Sequence, residues 1–429
     1  MDTTQIDVNL IRAAVQDSAY RAWENAGRKA SIVMATGVGK SKLAVRRVME
    51  IAGGSPVSGE VLLVTPTEKL RDENWPAEFM KWGMPMAYVD KLVKRICFAS
   101  LKNEKGNKYK LVILDEVHRL TSLNAEGFQE RATEEQLKKM FGDDYKYDPK
   151  VFVPVSITQF FADNMAEEVM GLTATEPDKD RDKIKYEIFQ QIAPVCFRYS
   201  LDQAVSDGII PPYEIRLIMV PLEKILKEIP AGTKKNPFLT TEQASYEYIN
   251  KQVMKAQIAS RKNPNSKWAQ SMYGIRMRFL CNLPSKTRVA KKLMEKVLPG
   301  KRTLIFCGSI EQSRELCGNN VYNSSPEDKK RDMLTVFKNQ QINYLGVVNA
   351  VNEGHNIEEM DQAIVVQLNS NERDLTQRIG RVLRYRPGHT PMVYIIVAQG
   401  TKDQDWATKA LADFDRKRIV YDSYLNYVT

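Results

Sequence analysis

Short runs that are apolar almost throughout recur along this chain, and helix-like segments with polar faces separate them. Ser31–Ala35, Val61–Thr65, Ile96–Ala99, Leu111–Leu114 and Gly171–Ala174 form a first series. Thr303–Cys307, Leu345–Val348, Ala363–Val366 and Met392–Val397 form a second. Continuous rather than alternating apolar runs predict strands covered on both faces, as in a parallel sheet between helical layers. Two series predict an α/β chain of two doubly wound domains. The length agrees, since 429 residues are too many for one ordinary domain.

Between the series the pattern changes. From Glu223 to Arg278 there are eleven Lys/Arg against four Glu, which accounts for most of the chain's net charge of +10. Phe238, Tyr246, Tyr248, Trp268 and Tyr273 are interleaved with these charges. Pro211-Pro212 suits a hinge, because consecutive prolines hold the chain extended. Pro284-Ser285 suits the opening of a helix. The expected organisation is a first domain at 1–212, a basic helical insertion at 213–284 and a second domain at 285–429. A stretch around 121–154, with Gly142-Asp143-Asp144, reads as a surface insertion, and Trp406–Arg418 as a helical tail.

Composition narrows the class. The basic surplus suits a polyanion, of which nucleic acid is the commonest. Five scattered cysteines without a C-x-x-C pair fit a reducing compartment. No apolar run approaches membrane-spanning length, and Met1–Leu10 lacks the pattern of a secretory leader. A cytoplasmic protein is expected, of a bacterial or phage-infected cell and associated with the nucleoid.

Ala35-Thr36-Gly37-Val38-Gly39-Lys40-Ser41 follows the first apolar run and precedes a helix-like segment. Strand, glycine loop, Lys-Ser and helix make a phosphate-binding loop, although Met34 stands where the strict pattern has glycine. Gly37 and Gly39 let backbone amides turn toward phosphates. Lys40 would place its charge on the β/γ oxygens of ATP, and the Ser41 hydroxyl would ligate Mg²⁺. The nucleotide would also meet Thr36 and Val38 of the loop. Further on, Leu111–Leu114 runs into Asp115-Glu116-Val117-His118. Two acids at the C-terminal end of a buried strand lie where α/β sheets bind ligands. Asp115 would hold Mg²⁺ and Glu116 would take the proton of the attacking water.

With these motifs in order, the chain resembles the superfamily 2 DExH helicases, in the branch of DNA-repair and phage recombination helicases and type III restriction helicase subunits. That resemblance implies two tandem RecA-like domains with an ATPase site between them. Arg12–Gln16 resembles the element in which a glutamine, here Gln16, reads adenine. Thr65-Pro66-Thr67 with Leu70-Arg71 and Trp75 resembles the motif that grips the nucleic-acid backbone. Gly171–Thr175 resembles the coupling motif, which marks Thr173 and Thr175, with Glu176 following where many relatives have proline. His118 is a further coupling candidate. Asn349–Ile357, with Gly354 near the nucleotide, resembles motif V. Gln377-Arg378-Ile379-Gly380-Arg381-Val382-Leu383-Arg384 resembles motif VI, whose arginines share one helical face. By resemblance, Gln377 lies near the nucleotide and Arg381 and Arg384 are arginine fingers.

The expected activity is an ATP-dependent helicase or translocase acting on DNA that is single-stranded, forked or branched, with Trp268 a candidate to stack on bases. Other polypeptides could supply further activities. Alternatives are a duplex translocase or branch-remodelling motor that does not separate strands, an RNA helicase, and a non-catalytic nucleic-acid scaffold.

Overall fold

The computed structural model describes residues 7–54, 58–121, 131–144, 155–162, 166–177, 183–262, 267–323, 331–348, 360–368, 390–412 and 414–428, with a few isolated positions besides. The described residues form two compact units, up to Ile210 and from Pro211 onward.

The first unit is a six-stranded sheet. Its strands are β1 (Lys29–Met34), β2 (Val61–Thr65), β3 (Val93–Cys97), β4 (Tyr109–Asp115), β5 (Ala166–Thr173) and β6 (Val195–Tyr199). Their order is β3-β2-β4-β5-β1-β6 and every pairing is parallel. All five β2 positions are buried, as the unbroken apolar run requires. Register aligns the strand ends: Val33 lies opposite Thr173, and Asp115 opposite Leu172. The C-terminal ends of β1, β4 and β5 therefore share one edge of the sheet. On one face, Leu62, Val64, Val112 and Leu114 pack with Phe160 and Phe189. Truncating a buried phenylalanine of this kind to alanine typically costs about 3–5 kcal/mol.

The second unit carries seven parallel strands in the order β11-β12-β10-β13-β14-β7-β15. They are β7 (Glu214–Val220), β10 (Thr303–Phe306), β11 (Val321–Tyr322), β12 (Tyr344–Val347), β13 (Gln362–Val365), β14 (Met392–Ala398) and β15 (Ile419–Ser423). Two expectations are corrected here. The segment from 213, read as the start of an insertion, begins with β7, which pairs with β14 along seven residues. The expected helical tail ends at Ala410, and the chain returns as β15 to pair with β7.

What projects from this unit is shorter and not wholly helical. It has an antiparallel pair, β8 (Ile229–Gly232) and β9 (Pro237–Thr240), and the helices Glu242–Lys262 and Lys267–Cys281, which pack together. Its base is fastened to the unit. Buried Glu242 accepts hydrogen bonds from the Glu223 and Ser285 amides at 2.9 and 2.8 Å, and the Tyr246 hydroxyl accepts the Lys402 amide at 2.9 Å. Pro284 opens the next helix, Pro284–Val297, at a position where its missing N–H costs nothing. Around 121–154, the helix Glu134–Phe141 carries a capping box between Thr133 and Gln136. No helix among the described residues is long and apolar enough to cross a membrane.

Candidate nucleotide and metal site

β1 ends at Met34 and the glycine loop leads into the helix Lys40–Ala52. Gly37 and Gly39 hold φ values of 91° and 96°, a left-handed geometry that side chains rarely tolerate. Gly39 is the helix N-cap, so no side chain caps the first turn, and that turn carries no acid. Its uncapped amides and dipole make an anion site. Val38 is fully buried, Thr36 partly so. The Lys40 ammonium donates to the Met34 carbonyl at 3.2 Å, which keeps it against the loop.

Gln16 lies in the helix Val8–Asn25, almost fully buried, and its amide donates to the Val38 carbonyl at 2.8 Å. A network holds that helix in place. Tyr20 donates to Glu50 at 2.5 Å, and Arg47 meets Glu168 of β5 through two bonds of 2.7 and 2.6 Å.

Asp115 ends β4, and its carboxylate accepts the Trp75 indole N–H at 2.8 Å. Burial and the adjacent Glu116 carboxylate push Asp115 up to about 7, against the pull of the Trp75 hydrogen bond and the Lys40 charge. Glu116 sits at φ 50°, a conformation uncommon for a side chain of its kind. His118 is buried, with Nδ1 2.6 Å from the Thr173 hydroxyl. That hydroxyl donates to the Thr175 carbonyl at 2.7 Å and accepts the Thr175 amide at 3.1 Å. The hydroxyl thus joins His118 to the Thr175 backbone. The Glu116 carboxylate lies 3.4 Å from both Thr173 and His118.

The donor set fits a magnesium–nucleotide. Mg²⁺ typically takes one or two protein oxygens together with phosphate and water. Ser41 and Asp115 offer those oxygens, and a cation would offset the carboxylate repulsion that raises Asp115.

Of the nucleic-acid candidates, Thr65, Pro66 and Arg71 belong to the first unit and Trp268 to the second. Thr65 is buried at the end of β2, with its hydroxyl bonded to the Thr67 carbonyl at 3.0 Å, and Pro66 follows half-buried. Arg71 is bound by the Asp72 carboxylate through two contacts of 2.7 Å. Trp268 is 44% exposed on the helix Lys267–Cys281. Gly354, Gln377, Arg381 and Arg384 lie outside the described residues.

Two contacts bear on the metal side chains without having been expected: that of Trp75, expected only in the backbone-gripping motif, on Asp115, and that of Glu78, which accepts the Ser41 hydroxyl at 2.9 Å. Both contacts span about forty residues, so no local pattern announces them.

Residues 9–177 match the model of the type III restriction enzyme res subunit, and residues 285–386 that of the helicase conserved C-terminal domain. A relative from Sulfurisphaera tokodaii, the DNA 3'-5' translocase XPB2, is 23% identical over 407 residues, 90% of this chain and 82% of that protein. Among solved structures, the ATP-dependent type ISP restriction-modification enzyme LlaBIII bound to DNA is similar with a TM-score of 0.55 and 14% identity. That likeness covers 95% of this chain, which spans only 31% of the longer enzyme. S. cerevisiae Dbp5 bound to RNA and ADP BeF3 is similar with a TM-score of 0.57 and 11% identity, over 96% of this chain and 89% of Dbp5. Two matched domains in tandem, two parallel sheets and a glycine loop beside a DExH strand end agree: the chain belongs to the superfamily 2 helicases, ATP-driven nucleic-acid motors, in the branch related to restriction and translocase helicases.

Proposed function

We propose that the chain is a DNA-dependent ATPase that uses hydrolysis to move along DNA, and that Lys40, Ser41, Asp115 and Glu116 form its hydrolytic centre. The observation that carries this reading is the placement of the glycine loop and the two acids at the C-terminal ends of β1 and β4, which flank β5 in the sheet, close enough for the Lys40 charge to act on Asp115. Mg²⁺, when bound, neutralises charge on the β and γ oxygens. Lys40 and the loop amides hold the triphosphate, with Gln16 fixing the loop from behind. Glu116 takes the proton as water attacks the γ-phosphorus and the bond to the bridging oxygen breaks, releasing ADP and phosphate. Arg381 and Arg384 are proposed to supply finger charges, with Gln377 and Gly354 beside the nucleotide.

DNA is preferred over RNA because the relative matched over most of both chains is named as a DNA translocase. That name also favours translocation, with strand separation as one possible consequence. The deciding experiment compares ATPase stimulation by single-stranded DNA, duplex, forked DNA and RNA, beside strand-displacement and triplex-displacement assays. Stimulation by DNA, lost in Glu116→Gln with nucleotide binding kept, is expected. Equal or greater stimulation by RNA overturns the substrate, and full turnover in Glu116→Gln overturns the base.

A further inference from the structure

The helix Trp75–Lys81 touches both side chains offered to the metal, although it lies outside the glycine loop and the Asp115–His118 segment. From Trp75 the indole N–H reaches the Asp115 carboxylate at 2.8 Å. One turn later, Glu78 accepts the Ser41 hydroxyl on one carboxylate oxygen at 2.9 Å. The other Glu78 oxygen is buried without a hydrogen-bond partner. Trp75 is nearly fully buried and packs on Phe79, with ring centroids 5.8 Å apart, so its N–H is held in place. Lys42 lies over the Trp82 ring at 4.7 Å, a second tie from the glycine-loop helix to this segment.

The chain that precedes this helix is the candidate backbone-gripping segment. Thr65, Pro66 and Arg71 lead into a wide π-type turn, Leu70–Asn74, which runs without a break into Trp75. Such turns are rare, cost regular hydrogen bonding and occur often at functional sites. Fewer than eight residues separate Arg71 from Glu78, and they form one continuous helical rod.

We propose that this rod transmits nucleic-acid engagement to the metal side chains, with Glu78 and Trp75 as positioning residues. Glu78 accepts the Ser41 hydroxyl hydrogen bond, which leaves the oxygen lone pairs free for a cation, and Trp75 fixes which Asp115 oxygen is free. A phosphate drawn to Arg71 shifts the π-type turn and, through the rod, both contacts. This inference rests on the ATPase reading above.

The test titrates Mg²⁺ into the full-length protein with a fluorescent ADP analogue and reads nucleotide affinity, with and without DNA, in Glu78→Gln, Glu78→Asp and Trp75→Phe. Loss of an outer partner of a metal ligand typically weakens metal affinity about 10–100-fold. Glu78→Gln is expected to weaken Mg²⁺-dependent binding in that range, leave Mg²⁺-free binding unchanged and remove the effect of DNA on the titration; Glu78→Asp restores part of it. Thermal melting identifies any variant that fails to fold, and if Trp75→Phe does so, Glu78→Gln decides. If DNA stimulates the wild type and Glu78→Gln keeps its Mg²⁺ titration and DNA response, the transmission idea is wrong while the ATPase reading stands. If neither DNA nor RNA stimulates ATP hydrolysis by the wild type, assayed beside the titration, the ATPase reading itself has failed.

Discussion

Gln16 donates a hydrogen bond of 2.8 Å to the Val38 carbonyl, so a residue of the first helix braces the inside of the glycine loop. The contact also explains the loop's composition. A Cβ added at Gly39 would come within 2.5 Å of the Gln16 amide nitrogen, and the backbone there already sits at φ 96°.

Removing the brace should loosen the loop without destroying it. One such bond is worth about 0.5–1.5 kcal/mol, so Gln16→Ala is expected to weaken nucleotide binding by about 2–13-fold. If Gln16 also reads adenine, as the family resemblance implies, the preference for ATP over GTP falls with it. Gly39→Ala should be more damaging, and Gln16→Ala should not rescue it, because the positive φ stays strained after the clash is gone. Calorimetric titration of the two single variants and the double variant checks both statements.

The Thr173 hydroxyl satisfies three groups at once: His118, the Thr175 amide and the Thr175 carbonyl. Thr173→Val removes the hydroxyl and leaves the Thr175 amide without this acceptor, at a cost of about 1–3 kcal/mol. The Glu116 carboxylate lies 3.4 Å from this hydroxyl, so the loss falls beside the proposed base. We expect nucleotide binding to survive and the stimulation of ATPase by DNA to fall about 5-fold or more, the size of a modest coupling energy. Unchanged stimulation in steady-state assays would remove Thr173 from the coupling machinery.

Much of this architecture was legible from apolar runs, because strands buried on both faces are apolar almost throughout instead of alternating. β2, β4, β10 and β14 were readable for that reason. β6 was not, since Arg198 breaks its pattern and most of its residues are only partly buried. β15 is a half-exposed edge with the sequence Ile-Val-Tyr-Asp-Ser and carries little apolar signal. β7 has a clear apolar pattern, but it follows Pro211-Pro212 and precedes the basic stretch, and its partners lie about 180–205 residues away. At the site, glycine spacing and paired acids marked the phosphate and metal groups. The hydrogen bonds that orient those groups, Trp75 to Asp115 and Ser41 to Glu78, join separate elements and leave no periodicity to read.

Asp115 makes the site pH-dependent in a direction the structure sets. Its folded pKa, about 7, lies above the ordinary value of 3.8. Stability from keeping the proton is therefore fully present below about pH 4 and is lost as pH rises through 7. Metal binding needs the charged form, so apparent Mg²⁺ affinity should rise with pH across the same upper limit and release a proton below it. Asp115→Asn should melt higher than the wild type at pH 8 without metal, by about 2–4 °C for each kcal/mol relieved, while losing hydrolysis. The gain should vanish at pH 4, where wild-type Asp115 is already neutral in the folded state. Differential scanning calorimetry at the two pH values checks the sign, and equal gains at both would refute it.

The Asp72 carboxylate occupies the Nε edge of the Arg71 guanidinium and competes there with a phosphate. Its Nε and one Nη each lie 2.7 Å from the Asp72 carboxylate, with Glu68 a further 4.0 Å away, and the Arg71 pairing holds the Asp72 carboxyl below its usual range. A nucleic-acid phosphate at Arg71 therefore meets the repulsion of a neighbouring acid, which is screened by water and salt because the pair is partly exposed. Asp72→Asn removes that competitor without removing the guanidinium. DNA affinity should rise a few-fold at low salt, and by less at high salt, because the acid's repulsion of the strand is itself screened. Arg71→Ala should weaken all sequences alike and reduce the slope of log affinity against log salt by about one. Fluorescence anisotropy over a salt series measures both. An unchanged slope in Arg71→Ala would mean that the arginine serves its own segment and does not touch the strand.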